Sequence, residues 1–125
     1  ERIMAYIYIV SCEDGSLYTG IAKDIKKRLL QHVNRKKPSA KYTKSHIIKR
    51  LEALWETENY ADAAKLEYRI KRLTRAKKQE FIANPGKIKE AFSCLSGIDF
   101  VVSNIYACPC DINVIVTAQE ERDIS

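Results

Sequence analysis

Two short runs near the start of the chain alternate apolar side chains with other residues at a period of two. They are residues 5–10, Ala-Tyr-Ile-Tyr-Ile-Val, and residues 16–21, Ser-Leu-Tyr-Thr-Gly-Ile. Such alternation in segments rich in β-branched and aromatic side chains predicts two β-strands. The polar sequence Glu13-Asp14-Gly15 lies between the runs. It predicts the turn of a β-hairpin.

The length of the hairpin loop decides which side chains share a face of the sheet. A two-residue turn would place Tyr8 and Tyr18 on opposite faces, whereas a three-residue loop ending at Gly15 pairs Cys12 with Ser16. Only the second register separates an apolar face from a polar one, because a one-residue slip reverses every side chain. We therefore predict the three-residue loop, with an apolar face of Ile7, Ile9, Leu17, Thr19 and Ile21. The other face, called the tyrosine face below, consists of Tyr6, Tyr8, Tyr18 and Gly20.

A helix is predicted directly after the hairpin. Its apolar residues recur four apart and form one stripe, made of Ile25, Leu29 and Val33. This spacing is typical of an amphipathic helix. Asp24 precedes the stripe and is suited to cap the first turn. Two further side chains lie four apart on the neighbouring face of the helix, Arg28 and His32.

A third strand and two more helices are predicted before residue 90. Residues 48–57 alternate loosely, and their Leu51, Ala53 and Trp55 are expected to extend the apolar face. These elements together predict an α+β fold, in which a small antiparallel sheet of about three strands is flanked by helices.

The two later helices have clear boundaries. Residues 59–73 place an apolar stripe at helical spacing, and Glu67 lies beside that stripe. A second helix, Arg75–Ala83, is capped by Thr74 and ends at the turn sequence Asn84-Pro85-Gly86.

The character of the chain changes after residue 92. Residues 97–107 and 111–118 are apolar, β-branched runs on either side of Cys108-Pro109-Cys110, a pattern compatible with a β-hairpin. We divide the chain into a domain of residues 1–92 and a C-terminal extension of residues 93–125, whose role is open and which could bind a protein partner. Zinc sites usually use Cys-x₂₋₄-Cys pairs, whereas Cys108 and Cys110 have only one residue between them. We therefore expect the extension's cysteines to be reduced thiols more readily than zinc ligands.

Composition adds a preference for anionic partners. The 125 residues suit one domain, and residues 1–90 hold 21 of the 22 Lys and Arg residues but only 11 of the 16 acids. Residues 34–45 contain five cations, no acid and Tyr42. Such an excess of positive charge is typical of nucleic-acid-binding domains, although it also occurs on merely solubilising surfaces. No apolar run of 18 residues and no signal-peptide pattern occurs, so a cytoplasmic protein without a membrane partner is expected.

Several of these motifs, taken in order, resemble the GIY-YIG nuclease superfamily. The likeness is strongest to its small single-domain bacterial members, which are related to the nuclease half of the excision-repair incision protein. It spans about residues 4–83 and rests on the two tyrosine runs, on Ala40-Lys41-Tyr42-Thr43 and on the helix of residues 64–71. The first motif here, Tyr6-Ile7-Tyr8, lacks the family's glycine. The family's late asparagine has only Asn84 as a candidate, and that residue is more simply a turn former.

The resemblance implies a phosphodiesterase that uses one divalent metal ion, Mg²⁺ or Mn²⁺, to cleave DNA. It implies five catalytic residues, of which Glu67 is also the metal ligand: Tyr8, Tyr18, Arg28, His32 and Glu67. Because Glu67 lies beside the inward stripe of its helix, its carboxylate is expected to point toward the tyrosine face. Residue by residue, simpler roles exist. The tyrosines could be ordinary strand aromatics, Arg28 could pair with Asp24, and Glu67 could pair with Lys71.

The expected nucleic-acid contacts come from the first helix and the basic loop. They are Lys23, Lys26, Lys27, Arg35, Lys36, Lys37, Lys41, Tyr42 and Lys44. The alternatives to a nuclease are a catalytically idle nucleic-acid-binding module of the same fold and an interaction protein that acts through its C-terminal extension.

If these cations contact phosphates, binding must depend on salt. The logarithm of the affinity for DNA should fall linearly with the logarithm of the salt concentration, by roughly 0.7–0.9 per neutralised phosphate. Titrations of labelled DNA at several salt concentrations measure this slope. Affinity that does not change between low and physiological salt would contradict the expected phosphate contacts.

Overall fold

The computed structural model describes residues 4–34, 47–88, 100–103, 106 and 108–115, with residues 32–34 described as backbone. The first half of the chain forms β1 (Ala5–Cys12), β2 (Leu17–Ala22), α1 (Ile25–Asn34) and β3 (Ile48–Thr57). The second half forms α2 (Tyr60–Lys71), α3 (Arg75–Ala83), a 3₁₀ turn (Pro85–Lys87), β4 (Phe100–Val102) and β5 (Cys110–Asp111).

The strands form one antiparallel sheet in the order β2-β1-β3-β4, and β5 also pairs with β3. The predicted α+β class, an antiparallel sheet flanked by helices, is confirmed. The sheet has five strands, whereas about three were predicted. The two extra strands have three and two residues, which is too short for alternation along the sequence to reveal them.

The hairpin has the predicted register. Tyr8 lies opposite Gly20, and the Cys12 amide donates to the Ser16 carbonyl oxygen at 2.9 Å. Gly15 has a φ of 87°, the left-handed conformation that glycine adopts without steric cost, and its amide donates to the Cys12 carbonyl oxygen at 2.9 Å. Asp14 accepts hydrogen bonds from the Ser16 amide and hydroxyl, at 3.0 and 2.6 Å, and so supports the turn.

The sheet is buried on both faces. On the apolar face, the side chains of the central strands pack against α2 and α3 in a first core, formed by Ile7, Ile9, Ala53, Trp55, Ala63, Leu66, Ile70 and Phe81 among others. On the tyrosine face, a second core includes side chains of α1 and of residues 112–115, and among its members are Tyr8, Val10, Ile25, Leu29, Leu51, Leu54, Ile112 and Ile115. Helices and loops therefore cover the sheet from both sides.

A β-bulge in β3 separates residues that were predicted to share a face. Ile9 pairs with Ala53, but the next residue, Val10, pairs with Leu51, so that Glu52 is the extra residue. Leu51 therefore lies in the second core, on the tyrosine face, and its predicted place beside Ala53 is wrong. The Glu52 carboxylate accepts a hydrogen bond from the Ser11 hydroxyl at 2.6 Å.

The helix starts are capped as the sequence predicts. The Asp24 carboxylate accepts from the Lys27 amide at 3.1 Å, and Thr74 Oγ1 accepts from the Lys77 amide at 3.2 Å. Asn59 Oδ1 accepts from the Asp62 amide at 2.7 Å at the start of α2. These bonds satisfy amides that have no partner within their own helix.

Part of the C-terminal extension belongs to the sheet. Phe100 of β4 lies in the first core, while Ile112 and Ile115 lie in the second. The two apolar runs were predicted to be compatible with a hairpin, but β4 and β5 each pair with β3. The division of the chain at residue 92 stays a prediction, since residues 89–99 lie outside the described residues.

Phe100 offers a test of how far the extension stabilises the fold. Phe100→Ala should lower the free energy of unfolding by about 3 kcal/mol, because the ring is only 6% exposed and its removal leaves a cavity in the first core. Val101→Ala, in the same strand but 53% exposed, is the control and should change stability by less than about 0.5 kcal/mol. Thermal or urea unfolding measures both, and equal small effects would contradict a structural role for β4.

Candidate active site

Gly20 allows the Tyr8 side chain to lie across the edge of the sheet. Tyr8 belongs to β1, and its ring extends over the neighbouring strand β2. A Cβ atom built on Gly20 would overlap the Cζ and hydroxyl oxygen atoms of Tyr8 and approach its Cε1 to 2.9 Å. The residue opposite Tyr8 must therefore lack a side chain.

Tyr18 lies beside Tyr8 but differs from it in exposure. The two ring centroids are 6.4 Å apart, and the rings are inclined by 43°, a tilted arrangement that is favourable for aromatic pairs. Tyr8 is 1% exposed, while Tyr18 is 47% exposed. The pair therefore joins a phenol fixed in the core to one that solvent can reach.

Arg28 lies on α1, the helix that packs on the tyrosine face. Its neighbour Leu29 is buried in the second core together with Tyr8, so α1 covers the tyrosine face, and Arg28 is half-buried on the flank of the helix. The Asp24 carboxylate caps the helix through the Lys27 amide. Asp24 therefore serves as an N-cap. The side chain of His32, the fourth expected catalytic residue, lies outside the described residues.

Glu67 lies on α2, the helix that packs on the other face of the sheet. Helix α2 buries Ala63, Leu66 and Ile70 on the apolar face, so Glu67 does not lie above the tyrosine face as was expected. The sequence places Glu67 beside the buried stripe but does not show which face of the sheet that stripe covers. Tyr8 and Glu67 therefore belong to opposite faces of the sheet, in which β2 is an edge strand among the described residues.

One flank of α2 faces the end of β2. Glu67 and Lys71 follow Tyr60 by seven and eleven positions, so the three residues lie on the same side of an α-helix. The ammonium of Lys23, which directly follows β2, lies 5.4 Å from the centroid of the Tyr60 ring. This contact brings the flank that carries Glu67 toward the edge strand.

The Glu67 carboxylate is largely shielded and is paired. It lies 3.5 Å from the Lys71 ammonium, and its side chain is 17% exposed. Within the described ranges, no group of three or more His, Cys, Asp or Glu side chains could enclose a metal ion. A single carboxylate fits Mg²⁺, which usually takes one or two protein carboxylates and completes its shell with water and substrate phosphates.

Two groups near the tyrosine face, the Tyr6 phenol and the Cys108 thiol, have pKa values that favour their neutral forms. Burial raises the pKa of the Tyr6 phenol, and the Glu56 and Asp24 carboxylates raise it further. Burial also raises the pKa of the Cys108 thiol to about 12, with Cys110 and Glu52 adding to the effect. Thiols in this state are poor nucleophiles and poor metal ligands. The described cysteines are free, as was expected.

The remaining expected contacts are only partly described. Lys23 and Lys27 are exposed and Lys26 is half-buried, all near the start of α1. The other expected contacts, which are Arg35, Lys36, Lys37, Lys41, Tyr42 and Lys44, lie outside the described residues. Asn84 ends α3, where its amide donates to the Glu80 carbonyl oxygen at 3.0 Å, and this supports its interpretation as a turn former. No helix in the described ranges is both long and apolar enough to span a membrane.

Comparison with known proteins shows which family the chain belongs to. Residues 4–80 match the model of the GIY-YIG catalytic domain, which is more than half of the chain. The protein belongs to the GIY-YIG family.

Its relatives include small bacterial proteins named UPF0213. The UPF0213 protein FN1575 of Fusobacterium nucleatum is 42% identical over 64% of this chain and 78% of its own. A UPF0213 protein of Staphylococcus epidermidis is 48% identical over 62% of this chain and 92% of its own. The solution NMR structure of the UPF0213 protein BH0048 from Bacillus halodurans is 34% identical and covers 72% of this chain and 97% of that one, with a TM-score of 0.43.

The contact between Tyr8 and Gly20 can be tested with paired glycine substitutions. Gly20→Ala should lower stability by about 1–3 kcal/mol, because the added methyl group forces the Tyr8 ring out of its place. Gly86→Ala is the control, since its Cβ would meet nothing nearer than Asn84 Oδ1 at 3.9 Å. Thermal melts compare the two variants. Equal stability would show that the Tyr8 ring does not depend on the absence of a side chain at residue 20.

Proposed function

We propose that the protein is a divalent-metal-dependent endonuclease that hydrolyses phosphodiester bonds in DNA. The observation that carries this proposal is the exposed Tyr18 beside the buried Tyr8 at the edge of β2. In this proposal Arg28 on α1 and Glu67 on α2, helices that pack on opposite faces of the sheet, act at that edge. Membership of the GIY-YIG family supports the same chemistry.

In this proposal the two tyrosines position the attacking water. Tyr18 is the phenol that solvent reaches, so it contacts the water, whereas Tyr8 holds the pair in position from the core. A general base must come within hydrogen-bond reach of the proton that it takes. The different exposure of the two tyrosines assigns their roles. The exposed Tyr18 contacts the water, and the buried Tyr8 limits the positions that Tyr18 can take.

Arg28 and His32 act on the phosphate and the leaving group. The guanidinium is planar and always charged, so it can donate two parallel hydrogen bonds to the phosphate oxygens as negative charge develops. Its position on the flank of α1 leaves it half-buried, where such bonds are stronger than in bulk water. His32, one helical turn further along α1, would pass a proton toward the leaving oxygen.

Glu67 would hold the metal ion. Bound there, Mg²⁺ or Mn²⁺ would polarise a phosphate oxygen and offset the charge of the transition state. The Lys71 ammonium, 3.5 Å away, neutralises the carboxylate when no metal ion is bound. Once a metal ion takes its place, Lys71 would be free to contact phosphate. The basic residues near the start of α1, together with the cations of residues 35–44, would guide the DNA backbone to this edge.

One observation favours a second candidate function. The Glu67–Lys71 pair is the contact expected if Glu67 has only a local structural role. The fold would then serve as a nucleic-acid-binding module without catalytic activity. Cleavage assays separate the two functions, because both predict DNA binding and only the first predicts hydrolysis.

Glu67→Gln tests the metal site directly. The substitution keeps size and helix propensity but removes the charge, so half-maximal cleavage should require at least about tenfold more Mg²⁺. DNA binding and the melting temperature should change little, because an i,i+4 ion pair within a helix contributes only about 0.2–0.5 kcal/mol. Cleavage of labelled DNA across a Mg²⁺ titration, with chelator as the blank, gives the measurement.

Glu80→Gln provides the matched control. Glu80 also pairs with a lysine on its own helix, Lys77 at 3.2 Å, but it lies on α3. Its loss should leave the Mg²⁺ dependence of cleavage unchanged. If Glu67→Gln behaves like Glu80→Gln, Glu67 is not a metal ligand. If the wild-type protein binds DNA and cleaves no substrate with Mg²⁺ or Mn²⁺, the non-catalytic module is the correct function.

A further inference from the structure

Tyr60 is an exposed aromatic residue with no role in either core. It is the first residue of α2, and 44% of its surface is accessible to solvent. The Lys23 ammonium lies 5.4 Å from the centroid of its ring. The proposed catalytic chemistry uses neither Tyr60 nor this contact.

The position of Tyr60 relates it to the proposed metal ligand. Glu67 follows Tyr60 by seven positions. This spacing places both residues on one side of α2, about 10.5 Å apart along the helix axis. Lys23 follows β2, the strand that carries Tyr18. Tyr60 and Lys23 therefore lie at the edge where the substrate would be cleaved, within the length of a few nucleotides.

An aromatic ring beside a lysine suits one nucleotide of a single strand. The ring can stack on the π-face of any base, and the ammonium can contact the adjoining phosphate. A base inside a duplex is covered on both faces by its neighbours, so only an unpaired or terminal base can stack on a protein side chain. Lys23 lies against the ring, and with 44% of its surface exposed Tyr60 remains accessible to a base.

A second exposed tyrosine shows that exposure alone does not define such a site. Tyr68 lies only one residue after Glu67 but is turned by about 100° around the helix. Its ring is 5.3 Å from the Arg72 guanidinium, and its hydroxyl accepts a hydrogen bond from Arg72 at 3.1 Å. That pair is confined to the helix, whereas the Tyr60–Lys23 pair joins α2 to the end of β2.

We propose that Tyr60 and Lys23 form a stacking subsite for an unpaired nucleotide of the substrate. The proposal rests on the proposed nuclease function and narrows its substrate class to DNA with a single-stranded segment next to the scissile bond. Tyr60 would set the preference for such structures by binding the base, and Lys23 would bind the phosphate beside it.

The test measures binding and cleavage with two DNA probes. One is a fluorescently labelled oligothymidylate of about a dozen nucleotides, and the other is a blunt duplex of the same length. Tyr60→Ala should weaken binding of the single strand by roughly tenfold, the effect of losing one stacked base, and should leave duplex binding unchanged. Tyr60→Phe should restore wild-type affinity because the ring remains, while Tyr60→Leu, which keeps apolar bulk without a π-face, should not. An oligouridylate of equal length shows whether RNA binds in the same way.

Tyr68→Ala is the matched control, because it removes another exposed tyrosine with a cationic neighbour from the same helix. Thermal melts of every variant exclude loss of fold as the cause. If Tyr60→Ala and Tyr68→Ala bind the single strand equally well, or if Tyr60→Leu restores binding, the subsite does not exist. Wild-type protein that binds single strand and cleaves nothing would reject the nuclease function and keep the subsite. Wild-type protein that binds neither probe would reject both.

Discussion

The packing of the Tyr8 ring on Gly20 is the contact on which the rest of the site depends. β1 lies between β2 and β3, and its side chains are buried on both faces, so Tyr8 has no free space on its own strand. The glycine opposite provides that space, and the ring extends over β2 toward Tyr18. Burial of a large aromatic side chain contributes on the order of 2 kcal/mol to stability. The same packing thus stabilises the second core and fixes where the exposed tyrosine lies.

The hairpin could be predicted from the sequence because two independent constraints agree on it. Glycine at the end of a three-residue loop and the separation of two faces select the same register, and the structure has that register. β3 could be predicted as a strand but not in its detail. Its bulge depends on pairing with β1, a contact between residues about 40 positions apart that leaves no local pattern. β4 and β5 are stable only through β3, so their short segments carry no signal of their own.

The candidate site was predictable to the same depth. The shared face of Tyr8 and Tyr18 follows from the hairpin register, and the capping role of Asp24 follows from its place before an apolar stripe. The face covered by α2 does not follow from the sequence, since helical periodicity shows which side of a helix is buried but not what buries it. Because α2 covers the apolar face, the expected centre of the site moves from above the tyrosine face to the edge of the sheet. Under the proposed function, residues from the two sides of the sheet would act together at the edge of β2, and the strand edge would be the surface that meets the nucleic acid.

The bulge at Glu52 has a consequence for how this chain can change. Leu51 faces the second core because one extra residue, Glu52, separates it from Ala53 of the first core. Deletion of Glu52 would make this part of β3 a regular strand, in which Leu51 directly precedes Ala53, still lies on the opposite face and still pairs with Val10. The Ser11 hydroxyl would lose its carboxylate partner, but neither core would lose a side chain. The bulge is therefore the place where β3 can be shortened by one residue, whereas a deletion among the regularly paired residues 53–57 would exchange side chains between the two cores.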